Sequence, residues 1–137
     1  MRTNRPILLI EDDEVDAMTI KRAIKEIKIA NPLVWRENGE EGLLYLKEKA
    51  NFRPSIILLD LNMPRMGGLE LLAIIKEDPK LRNIPVIILT TSSHDEDRLR
   101  SFNLSVAGYM IKPVDYKNFV QVIKAVNMYW TISEMPY

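Results

Sequence analysis

Three uninterrupted runs of four aliphatic residues, Ile7 to Ile10, Ile56 to Leu59 and Val86 to Leu89, constrain this chain more than any other feature. A strand with one face in water alternates apolar and polar residues. A continuous apolar run needs cover on both faces, as in the interior of a parallel sheet. Two weaker candidates, Leu33 to Arg36 and Gly108 to Ile111, bring the expected strands to five.

Helical patterns fill the intervals. Ile20, Ile24 and Ile27 recur at i, i+4, i+7 on a stretch whose other face is Lys21, Arg22, Lys25 and Lys28. Leu43, Leu46 and Ala50 predict a second helix, and Leu71, Leu72 and Ile75 a third. A fourth is expected to begin near Asp95 and carry Leu99 and Phe102 inward; a fifth runs from about Tyr116 with Phe119, Ile123 and Val126 at helical spacing. Breaks fall at Pro32, Pro54, Pro79 and Pro85. Strict β-α alternation implies one parallel sheet with helices on both faces.

Composition then removes whole classes of function. A chain of 137 residues is the size of one domain that buries a core without disulfide or structural metal. The absence of cysteine excludes thiolate catalysis, Cys-ligated zinc and iron–sulfur clusters, and a lone His94 excludes multi-His metal sites. No run approaches the ~18–20 apolar residues of a membrane span, and the N-terminus lacks an apolar signal region, so a cytoplasmic location is expected. With 19 Lys+Arg against 19 Asp+Glu, the chain lacks the basic excess of a nucleic-acid binder.

That balance hides a concentration of charge. Glu11, Asp12, Asp13, Glu14 and Asp16 place five acids in six positions, and Asp60 ends an apolar run; without these six, 19 bases face 13 acids. In an open doubly wound sheet, ligands bind outside the carboxyl ends of the strands where strand order reverses. The five expected strands end, in order, in Glu11-Asp12-Asp13, an uninformative second end, Asp60-Leu61-Asn62, Thr90-Thr91-Ser92 and Lys112-Pro113. Carboxylates gathered at one edge repel one another unless a cation intervenes, and a hard divalent ion such as Mg²⁺ suits an all-oxygen set. Asp60 is the natural nucleophile for phosphoryl transfer, Lys112 a compact positive charge, and Thr90 a hydroxyl donor to the phosphate.

Glu11-Asp12, the segment from Ile56 to Pro64 with Asp60 within it, Gly67-Gly68, Thr90 and Lys112-Pro113 resemble the receiver domain of two-component response regulators. The resemblance covers about Ile7 to Val126. It implies a flavodoxin-like, three-layer α/β/α fold with strand order 2-1-3-4-5. It also implies that Asp60 is the phosphoacceptor, that Asp12 ligates Mg²⁺ directly, and that Glu11 acts through water. Asn62 would offer its backbone carbonyl to the metal. Thr90 and Lys112 would contact the phosphoryl group, with Thr90 and Tyr109 as switch residues and a cis Lys112-Pro113 peptide. The Leu81 to Val86 approach, Lys112-Pro-Val-Asp115 and Tyr129-Trp130 look like the small receivers that partner bacterial phytochrome-type kinases.

The expected organisation is therefore a receiver over 1–126 and a tail over 127–137, with no attached effector. Its expected partners are a sensor histidine kinase, an unidentified downstream protein and a second copy, the last through a face near Phe119, Tyr129 and Trp130. Neither nucleic acid nor membrane is expected as a partner, nor turnover of an external substrate. Glu14 and Asp16 read as solvated face or helix cap, Asp13 as solvent-facing, Gly67-Gly68 as a turn and His94 as a loop residue. The methionines and tryptophans read as packing, with Trp130 the best candidate for a partner contact. Thr91 departs from the smaller residue usual after the switch hydroxyl, and the interval between the first strand and Asp60 is slightly long, absorbed near Ile29 to Pro32. Three rivals compete. An aspartyl-phosphate phosphatase of haloacid dehalogenase type needs an acid two residues after the nucleophile, where Asn62 stands; a flavodoxin-like cofactor binder needs glycines where the first loop is acidic; a degenerate receiver scaffold would not need Asp60, Asp12, Thr90 and Lys112 together.

Overall fold

The computed structural model describes residues 5–90, 103–112, 117–121 and 123–124. Its elements run β1 (Ile7–Ile10), α1 (Glu14–Glu26), β2 (Leu33–Arg36), α2 (Gly39–Lys47), β3 (Ile56–Asp60), α3 (Gly68–Glu77), β4 (Val86–Thr90) and β5 (Gly108–Ile111), with further helical residues at 117–121. The expected fourth helix, Thr91, Ser92, His94, the Lys112-Pro113 peptide's proline, and the 127–137 tail with Tyr129 and Trp130 lie outside the described residues.

All five strands pair in parallel in the order β2-β1-β3-β4-β5. The continuous apolar runs are continuous because each strand feeds two cores. On β1, Ile7 and Leu9 face one way and join Ala17, Ile20, Ala23 and Ile24 of α1 with Phe119 and Ile123; Leu8 and Ile10 face the other way with Leu71, Leu72 and Ile75 of α3. Every residue of β1, β3 and β4 is buried, and complete burial of an aliphatic side chain contributes roughly 1.5–3 kcal/mol. Among the described residues no helix is long and apolar enough to cross a membrane.

Two expectations need correction. The second helix ends at Lys47, so Ala50 lies beyond it and is exposed; Leu43 and Leu46 do pack against the core, partly buried, while Gly39, Gly42 and Tyr45 are the buried residues. At Gly42 the cause is close approach: a Cβ there would lie 2.5 Å from Ile10 Cδ1. Phe119 is completely buried in the α1-side core, which removes it from any homodimer face.

Gly68 does more than mark a turn. Its N–H donates to the Leu61 carbonyl at 2.9 Å, and a Cβ there would lie 2.3 Å from the Asp60 carbonyl oxygen and 2.6 Å from Leu61 Cα. Backbone cannot yield as a side-chain tip can. Gly68→Ala is therefore expected to push α3 off the end of β3 and destabilise the fold by about 2 kcal/mol in urea denaturation. Unchanged stability would show that the loop relaxes freely.

Candidate functional site

Strand order reverses between β1 and β3: the chain leaves β1 for β2 on one side and reaches β3 on the other. The register pairs Ile10 with Leu59, so Glu11 and Asp60 leave adjacent strands at the same level. Alternation along the strands sets direction as well. Leu58 and Met110 face the α1 core, so Asp60 and Lys112, two residues further on, follow the same side. Thr90 follows Leu89 and turns to the opposite side.

Side-chain contacts agree with this geometry. Lys112 Nζ lies 2.6 Å from Glu11 Oε1, 3.1 Å from Asp16 Oδ2 and 3.4 Å from Asp60 Oδ2. The shortest of these, to Glu11 Oε1, is an ion pair between two buried groups. Glu11, Asp60, Thr90 and Lys112 are buried, whereas Asp12 is exposed at the mouth. Asp60 Oδ1 accepts the Asn62 backbone N–H at 3.2 Å, and Asn62 Nδ2 donates to Thr90 Oγ1 at 2.9 Å. Tyr109 is half-buried on β5 and packs against the α3-side core.

Sequence reasoning missed three features of the site. Asp16, read as solvated face or helix cap, is a third acid on Lys112. Asp13 is the N-cap of α1, its Oδ1 accepting the Asp16 N–H at 3.0 Å, so the acidic run is partly a capping device that aims the first helical turn at the sheet edge. Trp35, read as packing alone, donates its indole N–H to the Glu11 carbonyl at 2.8 Å and anchors the exit from β1. The position of Asp16 in the first turn after β1 was the available signal, since that turn overhangs the switch point.

The acids of the cluster outnumber its one ammonium. Burial, the adjoining Glu11 carboxylate and Asp12 push the Asp60 carboxyl up to about 8, against the opposing pull of Lys112. Burial would lower Lys112, but Glu11, Asp60 and Asp16 together raise it above the ordinary lysine value. Carboxylate oxygens of Glu11, Asp12 and Asp60 lie within 4.8 Å of one another. This all-oxygen set, without sulfur or imidazole, fits a hard divalent cation.

The receiver-domain family model, described as "Response regulator receiver domain", matches residues 7–124. Response regulator Rcp1 of Synechocystis sp. is 34% identical over 128 residues, covering 90% of this chain and 87% of that protein. The phosphorylated cyanobacterial phytochrome response regulator RcpA superposes with a TM-score of 0.80 at 36% identity, covering 93% of this chain and 94% of that one. The Mn²⁺-bound form of Rcp1 gives a TM-score of 0.80 at 33% identity, covering 92% of this chain and 94% of that one.

Proposed function

The chain belongs to the response regulator receiver domain family, and from that premise we propose that Asp60 accepts a phosphoryl group from the phosphohistidine of a sensor histidine kinase. Phosphorylation then controls binding to a downstream protein. The observation that carries this reading is a carboxylate, buried at the end of β3, with two more acids and one ammonium converging on it.

A lone pair of the Asp60 carboxylate forms the new P–O bond while the P–N bond of the phosphohistidine breaks and the imidazole leaves with the electron pair. The Asn62 N–H fixes Oδ1, and Lys112 supplies positive charge near Oδ2 for the arriving phosphoryl oxygens. Glu11, Asp12, Asp60 and the Asn62 carbonyl would hold a divalent cation, magnesium in this reading, which supplies charge neutralisation. Thr90 exchanges the Asn62 amide for the phosphate, and Tyr109 follows as the β5 switch. Val15 and Met18, exposed on α1 beside the mouth, offer apolar surface to a protein donor in the cytoplasm. Relatives named as phytochrome response regulators support a phytochrome-type kinase as that donor.

The position two residues after Asp60 argues against a turnover phosphatase, because the Asn62 amide is committed to Thr90 and is no acid. Incubation with acetyl phosphate and Mg²⁺ is expected to load one acid- and base-labile phosphoryl group per chain, and chelation with EDTA to prevent it. Sustained hydrolysis of monoesters without a phosphoprotein would overturn the reading.

A further inference from the structure

An ammonium has three protons, and three carboxylates surround that of Lys112. Glu11 and Asp60 come from the sheet edge and belong to the carboxylate set that fits a cation. Asp16 does not. It reaches Lys112 from the first turn of α1, its side chain 25% exposed, and holds Nζ at 3.1 Å while Asp60 Oδ2 stands further off at 3.4 Å. The Asp13 cap fixes the backbone of that turn, so Asp16 is presented by a rigid element.

We propose that Asp16 is a positioning residue that holds the Lys112 ammonium on the α1 side of the cluster, in competition with the phosphoryl group arriving at Asp60. The proposal rests on the phosphoacceptor reading above. Lys112 cannot turn fully to a phosphoryl oxygen without loosening a contact that the phosphoryl group does not replace for Asp16. Asp16 thereby favours the unphosphorylated state and weakens capture of an anionic donor. It does not touch the reacting atoms, and its influence runs through Lys112.

Asp16→Asn keeps the side-chain shape and removes the ion pair. In that variant the half-saturating acetyl phosphate concentration is expected to fall about two- to fivefold with the maximal phosphorylation rate nearly unchanged, the scale of a partly exposed ion pair. Asp16→Glu retains the charge and is expected to behave as wild type. Glu14→Gln removes the same charge from the same exposed turn, outside the three contacts of Lys112, and is expected to shift half-saturation less than about twofold. In the resting protein, the Lys112 ammonium resonance in ¹⁵N NMR moves in Asp16→Asn and not in Glu14→Gln; Asp16→Ser serves should the amide variant not fold. A wild-type chain that takes no phosphoryl group overturns the phosphoacceptor reading, and an unmoved Lys112 resonance then overturns the Asp16 proposal too. A phosphorylated wild type in which Asp16→Asn and Glu14→Gln act alike overturns the Asp16 proposal alone.

Discussion

Asp60→Asn is expected to abolish phosphorylation by acetyl phosphate and by any kinase, and at the same time to stabilise the metal-free protein at alkaline pH. The first effect follows from chemistry: an amide has no anionic oxygen to form the acyl phosphate, and Asp60 is the buried strand-end acid of the cluster. Phosphoprotein analysis by intact mass should show no gain of a phosphoryl group in the variant. Loading at wild-type extent would move the acceptor elsewhere and sink the site assignment.

The second effect follows from linkage. The folded-state Asp60 carboxyl is held up at about 8 by burial and by its acidic neighbours, above its value in the unfolded chain. Between those two values the folded protein binds the extra proton, so the contribution of Asp60 to stability is complete below the unfolded value and is lost as pH rises toward 8. Asn cannot ionise and suffers no such loss. The variant should exceed wild type in metal-free urea denaturation at pH 8 by at least about 1.4 kcal/mol, one pKa unit's worth, with the gap closing toward pH 4. Saturating Mg²⁺ narrows the gap at pH 8 by stabilising the wild-type fold, in proportion to its tighter binding there. A gap of opposite sign would mean that Lys112 alone compensates the buried charge.

How much of this was legible beforehand differs from one element to the next. Three strands could be located because continuous aliphatic runs are a one-dimensional pattern that burial on both faces imposes directly; the two weaker candidates also form, as the half-buried outer strands β2 and β5. The inward face of α2 was legible at Leu43 and Leu46 but not at Gly42, whose backbone closely approaches the Ile10 side chain, and a glycine leaves no mark in hydrophobic periodicity. Strand ends located Glu11, Asp60, Thr90 and Lys112, since the topology carries each to one edge. Asp16 escaped for the opposite reason. Its partner is 96 positions away, just beyond β5, and only the folded sheet edge brings the two side chains together. Phe119 could be read both as core and as interface; its complete burial decides for the core.

Lys112→Met is expected to cost more stability than any other substitution considered, because it removes the cation while leaving the acids in place. The lysine side chain is 5% exposed, that of Glu11 is fully buried and that of Asp60 nearly so. Met matches the length of the aliphatic stem, so packing changes little and the loss is electrostatic. Removing one partner of a buried pair leaves an uncompensated charge, which destabilises by roughly 3–5 kcal/mol. Here the partly exposed Asp16 and the solvent at Asp12 moderate that figure toward its lower end, about 3 kcal/mol at pH 8 without metal. The loss should shrink as pH falls, because the stranded carboxylates then take up protons. Two further measurements separate this account from a generic core defect. Mg²⁺ brings positive charge to the same oxygens, so it should stabilise Lys112→Met more than it stabilises wild type. Adding Glu11→Gln to Lys112→Met removes a stranded acid and should recover part of the loss, a non-additivity that neighbouring charges require. Independent, additive losses insensitive to Mg²⁺ would show that Lys112 serves the fold through packing rather than charge.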